Sequence, residues 1–403
     1  MAYQRPMLKK LYDRVTEPRR FIQIIMGPRQ TGKTTMALAL QDKLQVSADT
    51  LTEYHSADSA TDYSAVWIDQ IWESIRVRMV LEKKNTAVLI LDELQKITEW
   101  SAAVKKHWDR DTRENRDIKP VLLGSSRLLL MDGLSESLMG RFEVIYASHW
   151  SLTEMQDAFG LSPEQYQWFG GYPGAASLIN DELRFKEYIR SAIIEPTMTR
   201  DILLTTKIEK PALLKQLLDV GVGYSTQIMS YNRMLGQLQD AGNTTTLSKY
   251  IRLLDQAGLL TGLNKYSNRD IETKGTIPKF LVHNTALLSA TRARVFEEAL
   301  VDRKMWGTVV ESSVGAHLLS QVNKLPNASL YYWRENDLEV DFVVAFKERI
   351  IGMEVKSGDE SIPKKPAEKF AELFPKSSLL LIGRHGIPYE TFMKAELADI
   401  FSM

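Results

Sequence analysis

The sequence contains no cysteine, which excludes disulfide bonds, thiolate zinc sites and cysteine nucleophiles. Its six histidines include no HxxxH pair, so any bound metal is expected to have oxygen ligands. Lysine and arginine number 51, as do aspartate and glutamate, and a net charge of zero argues against wholesale coating of nucleic acid. No apolar run approaches the ~20 residues that cross a bilayer, and the N-terminus lacks a secretory signal. We therefore expect a cytoplasmic protein that has no membrane partner.

The order of apolar and amphipathic stretches predicts an α/β protein of several domains. At ~150 residues per domain, 403 residues are expected to form two or three. Strand-like runs alternate with helical patterns up to residue 150, which predicts a parallel sheet covered by helices on both faces. Helices alone follow, one of them predicted to end at Glu195-Pro196. The predicted segments are a first domain at 1–150, a helical lid at 151–205, a helical module at 206–276 and a second α/β domain at 277–403.

The first predicted strand, 21–26, runs directly into the motif GxxxxGK[ST], which is typical of a loop that binds nucleotide phosphates. Its glycines let backbone N–H groups turn towards phosphate oxygens, and the helix that follows adds partial positive charge at its N-terminus. Lys33 is expected to neutralise the β and γ phosphates, and Thr34 to bind Mg²⁺ through its hydroxyl. The residues expected at a bound Mg-ATP are Gly27, Pro28, Arg29, Gln30, Thr31, Gly32, Lys33, Thr34 and Thr35.

Two acids follow the apolar strand predicted at residues 87–91. The carboxyl ends of parallel strands line the crevice in which ligands bind. Asp92 is expected to hold Mg²⁺ through water, and Glu93 to act as the general base that polarises the water attacking the γ-phosphate. The pair therefore predicts ATP hydrolysis and not binding alone.

Two further positions have two interpretations each. Ser125 follows the strand predicted at 121–124, and it is either a sensor of the γ-phosphate or part of a plain turn. Arg141 either stabilises transition-state charge, in its own or a neighbouring subunit, or is an ordinary surface arginine. Action in a neighbouring subunit would require an oligomer.

The segments GPRQTGKTT, LILDELQKITEW, GSS, SLMGRF and GGYP resemble the bacterial and archaeal AAA-type ATPases that carry a C-terminal nuclease-like domain of unknown function. This resemblance spans nearly the whole chain. It implies an additional-strand P-loop core and ATP bound between the P-loop and the lid, where Gly171 and Pro173 belong to a GxP-like motif. Gln95 and Trp100 match the DE-x-Q motif of the family and the aromatic residue after it.

The helical module resembles a winged helix. Asn243 is predicted to cap a helix that ends at Ala257-Gly258, and the next segment would form the wing. Residues 243–280 contain six basic residues and three acidic ones, so this part of the chain is locally basic. The module either contacts DNA phosphates through its helix and wing or only connects domains.

Two alternating segments near the C-terminus predict a hairpin that carries a charged cluster. Glu354 and Lys356 share one face of their strand, and the neighbouring strand can bring Asp341 opposite them. Asp followed by Glu-x-Lys resembles the PD-(D/E)XK nuclease pattern, in which acids hold Mg²⁺ or Mn²⁺ and the lysine orients or activates water. Glu311 matches an upstream acid of that pattern, whereas His283-Asn284-Thr285 departs from an expected Asp-Thr-Gly-like turn. The resemblance implies catalytic Asp341, Glu354 and Lys356 with metal on Glu311, Asp341 and Glu354, and the alternative is a nuclease fold retained for protein contacts.

Three functions agree with these observations. The first is an ATPase whose nucleotide state regulates a C-terminal nuclease-like domain that acts on double-stranded DNA. The second is a regulatory or scaffold ATPase with an inactive nuclease fold that binds a protein partner. The third is a nucleotide switch that turns over slowly and retains ADP.

Overall fold

The computed structural model describes residues 3–124, 137–203, 206, 208–239, 242–267 and 277–402. These residues divide into two compact units, Met1–Ser148 and His149–Met403. Among the residues that the structure describes, no helix combines the length and the apolar character needed to cross a membrane.

The first unit contains a five-stranded parallel sheet in the order β2-β3-β4-β1-β5. One strand, β4, lies between β1, which leads into the P-loop, and β3, which ends in the two acids. The resemblance implies a core in which the acid-bearing strand lies between the P-loop strand and others, and this five-stranded parallel sheet matches a P-loop NTPase fold. The strands are β1 Ile22–Met26, β2 Thr50–Ser56, β3 Thr86–Asp92, β4 Asp117–Gly124 and β5 Phe142–Tyr146.

Helices cover both faces of this sheet, as the sequence pattern predicts. On one face, α1 and α2 bury Leu11 and Leu40 against apolar residues of the central strands. On the other face, Trp72 of α3 and Trp108 of α4 belong to a second apolar core. Side chains alternate across each strand, so a strand between two helix layers must be apolar on both faces, and β3 is buried from Ala87 to Asp92. The helices are α1 Pro6–Thr16, α2 Lys33–Leu44, α3 Ala65–Leu81 and α4 Trp100–Arg113.

The second unit begins with helices. The expectation that a helix ends at Glu195-Pro196 is wrong, because the helical chain continues through Pro196 to Leu203. Proline has no N–H for an ordinary helical hydrogen bond, and wider π-helical turns on either side of it accommodate this loss. The helices are α5 Leu152–Phe159, α6 Pro163–Phe169 and α7 Glu182–Tyr188, and the π-helical segments are Ile189–Ile194 and Thr197–Leu203.

Three helices and a hairpin follow. The side chain of Asn243 accepts a hydrogen bond from the backbone N–H of Thr246 and caps the third helix, as predicted. The strands β6 and β7 pair antiparallel, with Leu260 opposite Val282. This pairing joins a strand of the predicted 206–276 module to one that follows its predicted end. The elements are α8 Pro211–Gly223, α9 Tyr231–Leu235, α10 Thr244–Gln256, β6 Leu260–Leu263 and β7 Lys279–Val282.

The rest of the second unit contains a four-stranded sheet in the order β11-β10-β9-β8. The predicted hairpin is present, because β9 and β10 pair antiparallel with Phe346 opposite Arg349. The strands are β8 Ala328–Glu335, β9 Leu338–Phe346, β10 Arg349–Val355 and β11 Ser377–Ile382. The helices are α11 Thr285–Thr291, α12 Phe296–Val301, α13 Arg303–Lys324, α14 Lys364–Leu373, α15 Tyr389–Lys394 and α16 Leu397–Ile400.

Candidate nucleotide site and C-terminal acidic cluster

The P-loop joins the end of β1 to the first turn of α2, and its backbone requires two glycines. A Cβ atom on Gly27 would lie 2.1 Å from the carbonyl oxygen of Ala147, so only glycine fits beside β5. Gly32 has a φ of 83°, a left-handed conformation that glycine adopts without steric cost, and it caps α2. The loop thus presents the N-terminus of α2 at the carboxyl edge of the sheet, where backbone N–H groups favour anions.

The ammonium of Lys33 is held by the loop itself. It donates hydrogen bonds to the carbonyl oxygens of Gly27 at 2.9 Å and Pro28 at 2.6 Å. The hydroxyl of Thr31 donates to the same Pro28 oxygen at 3.0 Å. The lysine is buried, so these bonds compensate for its desolvation and keep the positive charge at the mouth of the loop.

The two predicted magnesium ligands are in contact. The hydroxyl of Thr34 donates a hydrogen bond of 2.7 Å to Oδ2 of Asp92. The hydroxyl of Tyr54, on the neighbouring strand β2, donates to the same oxygen at 2.8 Å. Burial and this bond to the Asp92 carboxylate raise the pKa of Tyr54, so it stays a neutral donor. These hard oxygens, from a hydroxyl and a carboxylate, fit Mg²⁺, which usually keeps several waters when bound beside phosphates.

Glu93 stands next to this pair in a left-handed conformation, with a φ of 51°. Its backbone N–H donates to Oδ1 of Asp92 at 2.8 Å, and the side-chain amide of Gln95 donates to its Oε2 at 2.7 Å. Burial, followed by repulsion from Asp92, raises the pKa of Glu93, while the nearby Arg29 and Lys33 oppose this rise. A carboxylate with a raised pKa is a stronger base, which suits proton abstraction from water.

Two further residues of this region, Tyr54 and Arg5, belong to no motif that the sequence shows. Tyr54 is a strand residue with no motif around it, and only the pairing of β2 with β3 indicates that its hydroxyl can reach Asp92. Arg5 caps α1, is buried, and donates to the carbonyl oxygens of Thr31 at 3.0 Å and Ser148 at 3.2 Å. It therefore ties the P-loop to the chain segment that follows β5.

The predicted C-terminal cluster lies on adjacent strands of the second unit. Oδ2 of Asp341, on β9, accepts a hydrogen bond of 2.8 Å from the backbone N–H of Val355 on β10. The ammonium of Lys356 donates to Oε1 of Glu354 at 2.7 Å. The sheet thus brings Asp341, Glu354 and Lys356 into one region, as their spacing predicts.

A second lysine that the sequence analysis does not assign to this cluster lies among its acids. The ammonium of Lys279, on β7, is 2.8 Å from Oε1 of Glu311, 3.0 Å from Oε1 of Glu339 and 3.6 Å from Oδ1 of Asp341. Burial alone would lower the pKa of Lys279, but the surrounding carboxylates outweigh it and raise that pKa. Burial and then Asp341 raise the pKa of Glu311 to about 8, and the same two causes raise that of Glu354 to about 7.

This arrangement departs from the metal site expected at Glu311, Asp341 and Glu354. Within the described ranges, no group of three or more His, Asp or Glu side chains is arranged to hold a metal ion. As the structure describes them, the carboxylates of Glu311 and Glu354 pair with the ammonium groups of Lys279 and Lys356.

Comparison with known families assigns the first unit. Residues 19–156 match the family described as AAA domain. The chain carries an AAA-type P-loop domain. Residues 161–297 match a domain of unknown function, DUF8612, and residues 306–394 match another, DUF4143. A comparison with curated proteins found no match.

Three solved structures share low sequence identity with the chain. They are DnaA from Aquifex aeolicus bound to AMPPCP, a RuvB variant from Thermotoga maritima and Cdc6p from Pyrobaculum aerophilum. Identities are 13%, 17% and 13%, and TM-scores are 0.32, 0.33 and 0.34. The alignments cover 62%, 63% and 74% of this chain, and 86%, 85% and 96% of those chains. All three TM-scores are below 0.5, so the assignment rests on the family match and the P-loop geometry.

The structure describes two of the three remaining predicted residues, Arg141 and Pro173. Arg141 of the AAA domain pairs with Asp109 of α4, its Nε lying 2.9 Å from Oδ1. Ser125 lies outside the described residues. Pro173 opens a 3-10 turn in the second unit, and the backbone N–H of the neighbouring Gly171 donates to Oδ1 of Asn284 at 3.3 Å. Asn284, at the departure from the expected turn, thus caps α11 and holds the GGYP segment.

Proposed function

We propose that the AAA domain hydrolyses ATP in a magnesium-dependent reaction. The observation that supports this most directly is the contact between the Thr34 hydroxyl and the Asp92 carboxylate, with the Glu93 carboxylate beside them. Walker-type ATPases need a hydroxyl and an acid on the metal and a base next to them. All three lie at one edge of the parallel sheet here, together with the ammonium of Lys33.

Each side chain has a role in this proposal. In this proposal Lys33 exchanges its two carbonyl partners for the β and γ phosphates, because an ammonium bonds more strongly to charged phosphate oxygens than to neutral carbonyl oxygens. Thr34 and Asp92 hold Mg²⁺, which when bound offsets charge on the phosphate oxygens. Glu93 accepts a proton from the attacking water, and Gln95 keeps the carboxylate oriented. The backbone of the P-loop binds the remaining phosphate oxygens.

The test is steady-state ATP hydrolysis by the full chain and its variants. Glu93→Gln is expected to lower kcat by about 10²- to 10⁴-fold, as loss of a general base does, while nucleotide binding persists. Asp92→Asn is expected to raise the magnesium concentration needed for turnover. Glu114→Gln removes an exposed acid of the same unit and serves as the matched control. Equal turnover of Glu93→Gln and wild type would overturn the assignment.

The finer proposal is that the nucleotide state regulates the C-terminal half as a nuclease-like domain on double-stranded DNA. Its support is the grouping of Asp341, Glu354 and Lys356, and the three-helix-and-hairpin module with its locally basic sequence. Part of the proposed wing, which runs from Lys265 to Lys274, lies outside the described residues, which resume at 277. This nuclease proposal predicts that DNA stimulates ATP turnover and that Asp341→Ala abolishes metal-dependent cleavage. Turnover indifferent to DNA, without cleavage, would count against it.

A second candidate is a scaffold ATPase whose inactive nuclease fold binds a protein partner. One observation favours it, the ammonium of Lys279 among the acids of the cluster.

An Arg141 that acts on a neighbouring subunit would add an oligomer to either candidate. Mixing Arg141→Ala with Lys33→Ala protein tests this, because activity returns only if the intact arginine of one subunit serves the intact P-loop of another.

A further inference from the structure

Lys279 is an unusual residue for its surroundings. Its side chain is 1% exposed, although lysine is among the residues least often fully buried. An isolated ammonium in such a place would lose its hydration without compensation, so its burial requires carboxylate partners. The chain supplies these partners from two elements, Glu311 on α13 and Glu339 and Asp341 on β9.

This ammonium makes two hydrogen bonds and two ion pairs within the cluster besides the one with Glu339. A lysine ammonium has three donors and no acceptor. Lys279 donates to Oε1 of Glu339 at 3.0 Å and to the backbone oxygen of Asp341 at 3.2 Å, and it pairs with Oε1 of Glu311 at 2.8 Å. Three oxygens from two elements therefore surround one nitrogen.

The carboxylates are also committed elsewhere. Oδ2 of Asp341 accepts the backbone N–H of Val355, which fixes the carboxylate against β10. Oε1 of Glu354 accepts from Lys356. A divalent ion bound by these acids would need oxygens at about 2.0–2.6 Å. An ammonium lies 2.8 Å from Oε1 of Glu311 and another lies 2.7 Å from Oε1 of Glu354, and Oδ1 of Asp341 lies 3.6 Å from Lys279.

We propose that the Lys279 ammonium takes the place of the divalent cation in this cluster. The C-terminal sheet, α13 and the β6–β7 hairpin are then joined by a buried network of charges instead of a metal centre. This inference supports the scaffold candidate over the nuclease candidate, because it predicts no metal-dependent cleavage at this cluster while Lys279 stays between Glu311 and Asp341. This proposal does not depend on ATP hydrolysis, so either can fail without the other.

The test is Mn²⁺ binding to the full chain without nucleotide, measured by electron paramagnetic resonance. Wild type is expected to show no Mn²⁺ site that depends on Asp341, which comparison with Asp341→Asn reveals. Lys279→Met vacates the cation position and leaves the carboxylates, so we expect Mn²⁺ to bind about tenfold more tightly or better. Adding Asp341→Asn to Lys279→Met should remove this gain.

Two further variants keep the test decisive. Lys186→Met removes another buried lysine of the same unit, one that pairs with Glu182, and should leave Mn²⁺ binding unchanged. Circular dichroism shows whether Lys279→Met folds. If it does not, the double variant Lys279→Met, Glu339→Gln replaces it in the Mn²⁺ measurement, because it removes one charge of each sign. An Asp341-dependent Mn²⁺ site in wild type would overturn the proposal. So would a folded Lys279 variant that gains no such site.

Discussion

The hydroxyl of Thr34 donates a hydrogen bond of 2.7 Å to Oδ2 of Asp92, although 58 residues separate the two in the chain. Thr34 lies in the first turn of α2, and Asp92 is the last residue of β3. One strand, β4, lies between the strands that lead to them. The parallel sheet therefore brings both proposed magnesium ligands together.

Tyr54 is expected to position Asp92 for magnesium. Tyr54→Phe removes the hydroxyl that donates to Oδ2 and keeps the ring, so the carboxylate loses one of its two side-chain donors. Loss of a hydrogen bond to a metal ligand typically weakens metal binding about 10- to 100-fold. We expect the magnesium concentration for half-maximal ATPase activity to rise by a factor in that range, with kcat at saturating magnesium little changed. Tyr63→Phe, at an exposed tyrosine, is the control, and an unchanged magnesium dependence in Tyr54→Phe contradicts this role.

Gln95 is expected to lower the pKa of Glu93 through the hydrogen bond that it donates. An amide that donates to a carboxylate favours its ionised form, so Gln95→Leu should raise the pKa of Glu93 beyond its already raised position. A base must be ionised to act, and the acid limb of the kcat–pH profile should therefore move to higher pH. Measurements of kcat between about pH 5 and 9 would detect the shift. Gln45→Leu changes an exposed glutamine at the end of α2 and should leave the profile in place. If kcat of Gln95→Leu falls by the same factor at every pH and the acid limb does not move, Gln95 has a structural role instead.

Gly27 tests the geometry of the P-loop. In Gly27→Ala the new Cβ would meet the carbonyl oxygen of Ala147 at 2.1 Å, a backbone atom that cannot move away on its own. Overpacking of this kind costs about 1–3 kcal/mol or more. We expect a lower melting temperature and loss of nucleotide binding, measured by thermal unfolding and by fluorescent-nucleotide titration. Gly223→Ala, where a Cβ would have open space, should leave both unchanged.

His317 is expected to make stability depend on pH. Burial, and then the charge of Lys324, lowers its pKa from 6.5 to about 4. As the pH falls, the His317 imidazole of the unfolded chain is protonated before that of the folded chain. The contribution of His317 to stability is therefore complete above pH 6.5 and is lost as the pH falls towards 4. The raised pKa values of Glu311 and Glu354 have the opposite effect, because these groups stabilise the folded state as the pH falls. The contribution of His317 must therefore be measured by comparing variants with wild type.

Urea unfolding at several pH values would isolate this contribution. His317→Gln cannot gain the proton, and its unfolding free energy should fall less steeply between pH 6.5 and pH 4 than that of wild type. His385→Gln, at an exposed histidine, should reproduce the wild-type slope. Identical slopes for wild type and His317→Gln would show that His317 does not contribute.

The sequence predicts the first unit well for physical reasons. A strand in a parallel sheet is buried on both faces, so 87–91 is apolar throughout and 21–26 is apolar except for Gln23, and the residues after them must lie at the carboxyl edge. The lower limit of β4 is predicted less well: β4 begins at Asp117 and not at Val121, because Asp117, Lys119 and Pro120 interrupt the apolar pattern.

Other parts of the site depend on contacts that no local pattern contains. Tyr54, Arg5 and Lys279 reach their partners across 38, 26 and 32 residues, and each follows from strand pairing or helix packing and not from a motif. In the sequence, Lys279 is one of the six basic residues of 243–280, whereas in the fold its charge is directed into the acidic cluster. Spacing indicates which residues share a strand face, but it does not indicate which charge of another strand meets them.

The contacts of α1 bear on how the AAA domain can be cut from the chain. The family match begins at residue 19, so a fragment designed on that limit would omit Arg5 and all of α1. It would leave Leu40 of α2 without the cover of Leu8 and Leu11, and the carbonyl oxygen of Thr31 without its guanidinium donor. Such a fragment should be prone to proteolysis and poor at binding nucleotide, whereas one that starts before Arg5 keeps the support beneath its P-loop.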